Sequence, residues 1–222
     1  MPGSIILEFP DLYLTGFRFT VQLSFFGLIG ALVIGTLVAL LRISPIAPVR
    51  WVGAGYVEFF RNTPPLVQLF FLFFGLPFLG FRFSTDTFEA IYRAAIAGMA
   101  LYHGAYVAEV VRGGLLGIDR GQIEASRSLG LSYMQALRYV QLPQTFRTVI
   151  PPLGNIGIAL IKNTSLAATI GVSEILFAAE IVESRTFRAE EAFVAAVLLY
   201  LVLTIPAGIF VNWLERRLLV AR

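Results

Sequence analysis

The sequence has no cysteine and only one histidine, His103. Disulfides and thiolate metal centres are therefore excluded, and one imidazole cannot supply the several ligands that a zinc site requires. The phosphate-binding pattern GxxxxGK[ST] is also missing, because the only lysine, Lys162, is followed by Asn163. No GxSxG elbow and no paired-histidine motif occurs. These absences predict a chain that is not an enzyme and that binds no metal or nucleotide cofactor itself.

Charge is scarce as well: charged residues make up 14% of the chain, against about 25% in a typical soluble domain. Hydrophobic residues make up 57% of the chain, 20 residues are phenylalanine, and the mean hydropathy is +0.79. The composition predicts an all-α membrane protein, with one transmembrane domain over residues 1–222. Apolar runs long enough to span a bilayer predict about five transmembrane helices, at residues 19–41, 65–81, 90–111, 148–172 and 192–214.

The distribution of arginine predicts the orientation of these spans. Eleven arginines fall in residues 42–61, residues 112–147 and the C-terminal tail, which ends at Arg222, and five fall on the opposite side. With Lys162 inside the fourth span, they account for all 17 basic residues. Because basic residues concentrate on the cytoplasmic side of membrane proteins, we expect the N-terminus outside and the C-terminus in the cytoplasm. The segment 47–60 is predicted to form a helix at the membrane interface.

The first span carries small residues at every fourth position, namely Gly27, Ala31, Gly35 and Ala39. Such a stripe lets helix backbones approach closely in lipid. It suits packing within the chain at least as well as an interface with another subunit, and the sequence leaves both open.

The fourth span combines helix-breaking residues with a charge. Pro151, Pro152, Gly154 and Gly157 predict a break in the helix, which membrane proteins tolerate where backbone lines a cavity or is covered by protein. Lys162 near the middle of a span costs about 2.5–3.5 kcal/mol to insert. We therefore expect Lys162 to have a pairing group or access to water.

Residues 118–147 form the longest polar connection of the chain. Asp119 and Gln122 have the spacing of a capping box, which predicts a helix over about 120–129 that ends at Gly130.

A second capping box, Ser132 with Gln135, predicts another helix to about residue 141, stopped by Pro143. The connection could merely stabilise the bundle, read DNA as a helix–turn–helix, or dock a soluble partner. DNA reading is disfavoured because the second helix offers only Arg138 and the chain is embedded in a membrane.

The same connection resembles the cytoplasmic signature of bacterial ABC importer permeases, E-A-A, three residues, G, nine residues, I-x-L-P. The matching residues are Glu124, Ala125, Ser126, Gly130, Val140, Leu142 and Pro143, with Ser126 and Val140 departing mildly from the pattern. Four longer stretches, at residues 56–77, 105–132, 142–155 and 162–166, are similar to the polar amino-acid branch of these permeases.

The resemblance implies a bacterial inner-membrane subunit that moves a polar amino acid by alternating access. Its partners would be two ATP-binding subunits that hold ATP and Mg, a second permease chain and an external amino-acid-binding protein, with no nucleic acid. The family's loop docks on the ATPase, so the resemblance implies ATPase-coupling residues Gln122, Glu124, Ala125, Ser126, Gly130, Leu131, Ser132, Leu142 and Pro143.

Polar residues at membrane depth normally face a bundle interior or a cavity. The candidates for the substrate path are Gln68, Tyr102, Tyr106, Asn155, Lys162, Asn163 and Thr164. Many family members have an acid after the asparagine that matches Asn155, and Ile156 here favours a neutral or acidic substrate such as glutamine or glutamate. The alternative is a stand-alone secondary carrier, which would need no ATPase; carriers often contain paired broken helices, whereas one broken span is predicted here.

Overall fold

The computed structural model describes residues 2–219, and that part of the chain contains helices and short connections but no strand. Met1 and residues 220–222, which include the Arg222 counted above, lie outside the described residues. The prediction of an all-α fold is confirmed. In chain order the α-helices are α1 (Pro2–Glu8), α2 (Pro10–Arg42), α3 (Ala47–Asn62), α4 (Pro65–Phe70), α5 (Thr87–Leu116), α6 (Arg120–Ser128), α7 (Tyr133–Ala136), α8 (Leu142–Asn163), α9 (Ile175–Thr186) and α10 (Ala189–Leu219).

Three of these helices are long and apolar enough to cross a membrane alone, namely α2, α5 and α10. The predicted spans 19–41, 90–111 and 192–214 fall within them. Two bent pairs pass the same test: α3 with the segment Pro65–Leu79, bent by 107°, and Tyr133–Ile170 with α9, bent by 48°. The described residues therefore provide three to five candidate spans, a range that includes the predicted five.

The stripe of small residues on α2 packs inside the chain, against α5. Gly27, Ala31, Gly35 and Ala39 are all buried. A Cβ placed on Gly35 would lie 2.5 Å from Val107 Cβ and Cγ1, closer than real atoms approach. The small size of these residues therefore lets α2 and α5 approach closely. Of the two roles considered for the stripe, packing within the chain and an interface with another subunit, the structure supports packing within the chain.

The predicted span 65–81 is helical but irregular. After α4 the chain forms a π turn, Phe71–Gly75, and a 3-10 turn, Leu76–Leu79, and it ends at Gly80 with φ 85°. Pro77 lacks the N–H that an α-helix would use there. Pro65 sits in the first turn of α4, where a proline is tolerated, as the sequence indicates.

The predicted break at Pro151 and Pro152 is wrong, because α8 runs through both residues. The carbonyls that lose their N–H partners belong to Arg147 and Thr148, four residues earlier. Both residues are exposed, so these carbonyls are not sealed in the packing of the chain. The helix changes only beyond Asn163, where a 3-10 segment, Thr164–Ile170, ends at Gly171 with φ 91°.

Helix α9 lies between the predicted spans 148–172 and 192–214, in a segment for which no helix is predicted. The buried side chain of Glu174 caps it, accepting a hydrogen bond from Phe177 N at 2.8 Å and another from the Tyr200 hydroxyl. Thr20 Oγ1 accepts from Ile175 N at 3.2 Å, which fixes α9 to α2. In the turn that follows, the carboxylates of Glu191 and Glu8 bind the Arg188 guanidinium and raise its pKa.

Candidate functional site

A polar cavity of about 350 Å³ lies between α5 and α8. Helix α5 contributes Tyr102 and Tyr106, one turn apart, whose hydroxyl groups are 3.0 Å from each other. Helix α8 contributes Asn155 and Asn163, eight residues apart and so on the same face. The remaining lining residues are His103, Ile156 and Ala159. No residue that lines this cavity carries a carboxylate or an ammonium group.

His103 and Asn163 connect the two helices across the cavity. Asn163 Nδ2 lies 3.2 Å from His103 Nε2, and the other ring nitrogen, Nδ1, lies 3.0 Å from the carbonyl oxygen of Met99. His103 is only 2% exposed. A buried or pore-facing histidine is the interpretation that the sequence favours over a metal ligand, but spacing along one helix does not reveal that a second helix supplies its partner.

Three of the seven substrate-path candidates lie away from this cavity. Gln68 is buried at the corner between α3 and α4, and its Nε2 donates to Phe60 O at 3.0 Å and to Thr63 O at 3.1 Å. Thr164 is fully buried and donates to Ile161 O at 2.7 Å. Lys162 is exposed and forms no ion pair with any residue of the described range 2–219.

An ionic cluster lies beyond the tyrosine pair, toward the C-terminal end of α5. Glu109 binds Arg112 at 2.9 Å, one turn along the same helix, and it also binds Arg42 at the end of α2. The Arg61 guanidinium stands over the Tyr106 ring, 5.4 Å from the ring centre. The cluster therefore joins α2, α5 and the end of α3 next to the cavity.

The first helix of the polar connection forms as α6, but its predicted capping box is wrong. Asp119 caps the helix by accepting from Gly121 N at 2.6 Å. Gln122 Oε1 instead accepts from Gln144 Nε2 at 2.6 Å, which ties α6 to the start of α8. Gly130, with φ 85°, follows the end of α6 as predicted.

The second capping box is confirmed. Ser132 Oγ accepts from Gln135 N at 3.4 Å, and Gln135 Oε1 accepts from Ser132 N at 2.8 Å. The predicted stop at Pro143 is wrong, because α7 passes through a π turn, Leu137–Gln141, directly into α8. Pro143 directly follows this π turn, at a point where a continuous α-helix would use the N–H that proline lacks.

Most of the candidate coupling residues lie on the surface of the connection. Gln122, Glu124, Ala125, Gly130, Ser132 and Pro143 are exposed, and Leu131 and Leu142 are half-buried. Ser126 is the exception: it is 5% exposed, and its hydroxyl donates to Ile123 O at 2.7 Å. Large apolar side chains lie in the open beside them, with Leu129 84%, Tyr133 67%, Met134 65% and Tyr139 64% exposed.

Comparison with known proteins gives a family match over nearly the whole chain. The family described as "Binding-protein-dependent transport system inner membrane component" matches residues 14–220. The probable glutamine ABC transporter permease protein GlnM of Bacillus subtilis (strain 168) is 39% identical over 218 residues, with 98% of each chain covered. The glutamine transport system permease protein GlnP of Escherichia coli (strain K12) is 37% identical, with 93% of each covered.

Solved structures agree with this match. The crystal structure of an amino acid ABC transporter with histidines aligns over 96% of both chains, with a TM-score of 0.87 and 32% identity. An inward-facing structure of the MetNI methionine ABC transporter covers 95% of this chain and 98% of its own, with a TM-score of 0.73 and 22% identity, which shows a shared fold. The chain therefore belongs to the family of binding-protein-dependent inner-membrane components, as a multi-pass permease subunit of the amino-acid ABC transporter type.

Proposed function

We propose that this chain forms the translocation path of an ATP-driven importer that carries a neutral or acidic amino acid into the cytoplasm. The observation that carries the proposal is the cavity between α5 and α8, which is lined mainly by residues with polar side chains. Hydroxyl and amide groups line it without a carboxylate, and Ile156 presents an uncharged wall where a cationic substrate would need an acid. Relatives named for glutamine and for glutamate support this substrate class.

A second permease chain, identical or paralogous, would complete the path. Lys162 is exposed on this chain without an ion pair in residues 2–219, and lipid cannot solvate an ammonium group at membrane depth. A facing subunit supplies the protein or water that such a group requires. We place the assembly in the bacterial cytoplasmic membrane, with the N-terminus outside and an amino-acid-binding protein delivering substrate from that side.

ATP and Mg would reside on two partner ATPase subunits, and α6 and α7 would form the coupling contact. The exposed apolar side chains of Leu129, Tyr133 and Met134 support this role, because they lie beside the signature residues and lack a partner in the described chain. Burying them against a soluble subunit would stabilise a complex by removing apolar surface from water.

A cysteine pair tests the orientation and the coupling contact together. Because the chain has no cysteine, Ala125→Cys gives a unique exposed thiol on α6, and Ala189→Cys gives a matched exposed thiol at the start of α10. In membranes that contain the candidate ATPase, Ala125→Cys should form an ATP-sensitive cross-link to that subunit. Ala189→Cys should form none and should react with impermeant thiol reagents from outside. The reverse labelling pattern would overturn both the topology and the coupling role.

Uptake by the reconstituted complex tests the transport function itself. Proteoliposomes with this chain, the ATPase and the binding protein should accumulate labelled L-glutamine or L-glutamate only when ATP is hydrolysed. Uptake that continues without ATP hydrolysis would identify a secondary carrier instead, and preferred uptake of L-arginine would contradict the proposed substrate class.

A further inference from the structure

The hydrogen bonds of His103 determine which ring nitrogen carries the proton. The Met99 carbonyl oxygen can only accept, so the nitrogen 3.0 Å away, Nδ1, must donate. The ring is neutral, because it is 2% exposed and no carboxylate lines the cavity to balance an imidazolium. In the neutral ring with a proton on Nδ1, Nε2 has a lone pair and can only accept.

This tautomer fixes the orientation of the Asn163 amide. The atom 3.2 Å from His103 Nε2 must be a donor, so it is Nδ2 and not Oδ1. Turned the other way, the amide would set an oxygen lone pair against a nitrogen lone pair. Asn163 Oδ1 is therefore directed away from the ring. Asn163 Oδ1 accepts no hydrogen bond from a residue of the described chain, and this oxygen is not fully buried.

We propose that His103 is a positioning residue that holds Asn163 Oδ1 as the acceptor offered to the cavity, where it binds the α-ammonium group of the transported amino acid. This rests on the proposed function and adds a specificity determinant to it. An oxygen with only lone pairs repels a carboxylate and accepts from an ammonium, the donor that every α-amino acid carries as a primary group or, in proline, as a secondary one. His103 contacts Asn163 and not the substrate.

The tyrosine pair provides the complementary group in the same cavity. Tyr102 and Tyr106 share one hydrogen bond between their two hydroxyl groups, so one of the two protons remains free to be donated. A substrate carboxylate accepts such a proton. With an acceptor at Asn163 and a donor at the tyrosine pair, the lining distinguishes the two ends of a zwitterion without using a fixed charge.

Binding to the purified permease–ATPase complex tests the proposal, with L-glutamine and its analogue that has hydrogen in place of the α-amino group as probes. The wild-type complex should prefer L-glutamine by roughly tenfold or more, since a hydrogen bond to a charged group contributes that much.

Two substitutions of similar size then separate positioning from simple structural support. His103→Gln can place its side-chain oxygen where Nε2 stands and should keep most of the preference. His103→Asn can still donate to Met99 O but is too short to reach Asn163, so the preference should fall to about twofold or less, since the acceptor is no longer fixed. Asn163→Ala should lose the preference to the same extent. The double variant with His103→Asn should lose no more, because both substitutions remove the same interaction, the one between Asn163 Oδ1 and the ammonium group.

The outcomes separate the two proposals. If wild-type complex binds L-glutamine with the stated preference and both His103 variants keep it, the positioning role is refuted and the transport function stands. If the wild-type complex does not bind L-glutamine, L-glutamate or another neutral amino acid, the substrate cavity fails and the positioning role fails with it. Should His103→Asn not assemble, Asn163→Ala removes the same oxygen, and an unchanged preference in that variant refutes the proposal alike.

Discussion

Adding a single methyl group at Gly35 should force α2 and α5 apart. The new Cβ would lie 2.5 Å from Val107 Cβ and Cγ1 and 2.6 Å from the Gly104 carbonyl oxygen, where ordinary contact begins near 3.4 Å. Two of these three neighbours belong to the body of the helix rather than to a flexible side-chain end. The helices must therefore separate by nearly 1 Å, and overpacking of this kind costs typically about 1–3 kcal/mol.

The replacement of glycine by alanine also favours the helix, by about 0.5–1 kcal/mol, so Gly35→Ala loses about 0–2.5 kcal/mol against wild type and about 1–3 kcal/mol against a glycine-to-alanine change without the clash. For a chain of this size each kcal/mol lowers the denaturation midpoint by about 2–4 °C. The matched control is Gly208→Ala in α10, where a Cβ would meet nothing within 4 Å.

Thermal denaturation of the two variants in detergent, followed by loss of the monodisperse species, measures the difference. We expect Gly35→Ala to denature about 2–12 °C below Gly208→Ala, which should denature at or above wild type. Uptake should fall in Gly35→Ala as well, because Val107 is on the helix that carries the cavity tyrosines. Equal midpoints for the two variants would refute the close packing of α2 and α5 as the origin of the effect.

Three further substitutions test other parts of the molecule. Ser132→Ala removes the cap of α7 at a cost of about 1 kcal/mol, so amide hydrogen exchange over residues 133–136 should be about fivefold faster, and unchanged exchange would argue against the cap. Lys162→Met should leave the transport KM unchanged, because Lys162 does not line the cavity, and a roughly tenfold rise in KM would instead place its ammonium group on the substrate carboxylate. Tyr200→Phe deprives the buried Glu174 carboxylate of a donor, which costs about 1–3 kcal/mol, and a denaturation midpoint equal to wild type would contradict this.

Features that depend on a single helix are the ones that the sequence predicts well. The capping box of Ser132 and Gln135 involves only four consecutive residues, and both of its hydrogen bonds are present. Tyr102 and Tyr106 share a face because they are one turn apart, and their hydroxyl groups meet. The buried stripe on α2 follows from the same helical period. In each case the spacing alone determines the geometry.

Contacts between helices that are distant in the chain are the ones that cannot be predicted from the sequence. Gln122 has the spacing of a cap partner, but Gln144 at the start of α8 supplies the donor that its oxygen accepts from. The Arg42 contact of Glu109 lies 67 residues away along the chain. Gln68 has the polarity of a path residue, but the sharp corner after α3 leaves two backbone carbonyls without partners, and its amide satisfies them. These outcomes depend on how helices pack, which no local period encodes.

Helix α9 was missed for a related reason. Its segment contains Glu174, Glu180 and Glu183, which lower its hydropathy below that of a span. In the folded chain Glu174 is the cap, Glu180 is exposed, and the apolar positions between them, such as Ala178 and Val182, are buried against α1, α2 and α10. A short amphipathic helix among acids resembles a loop until its neighbours are known.

Because α7 continues through the π turn directly into α8, no loop separates the second helix of the polar connection from the helix that lines the cavity. Helix α8 has 22 residues, which corresponds to a rod of about 33 Å. Gln122 and Thr145 brace its lower end against α6 and α5. A rotation of α8 by about 5° about that end would move the other end, which carries Asn163, by about 3 Å, the length of one hydrogen bond. Under the proposed coupling role, a small rocking motion at the ATPase would suffice to make or release the contact with a substrate.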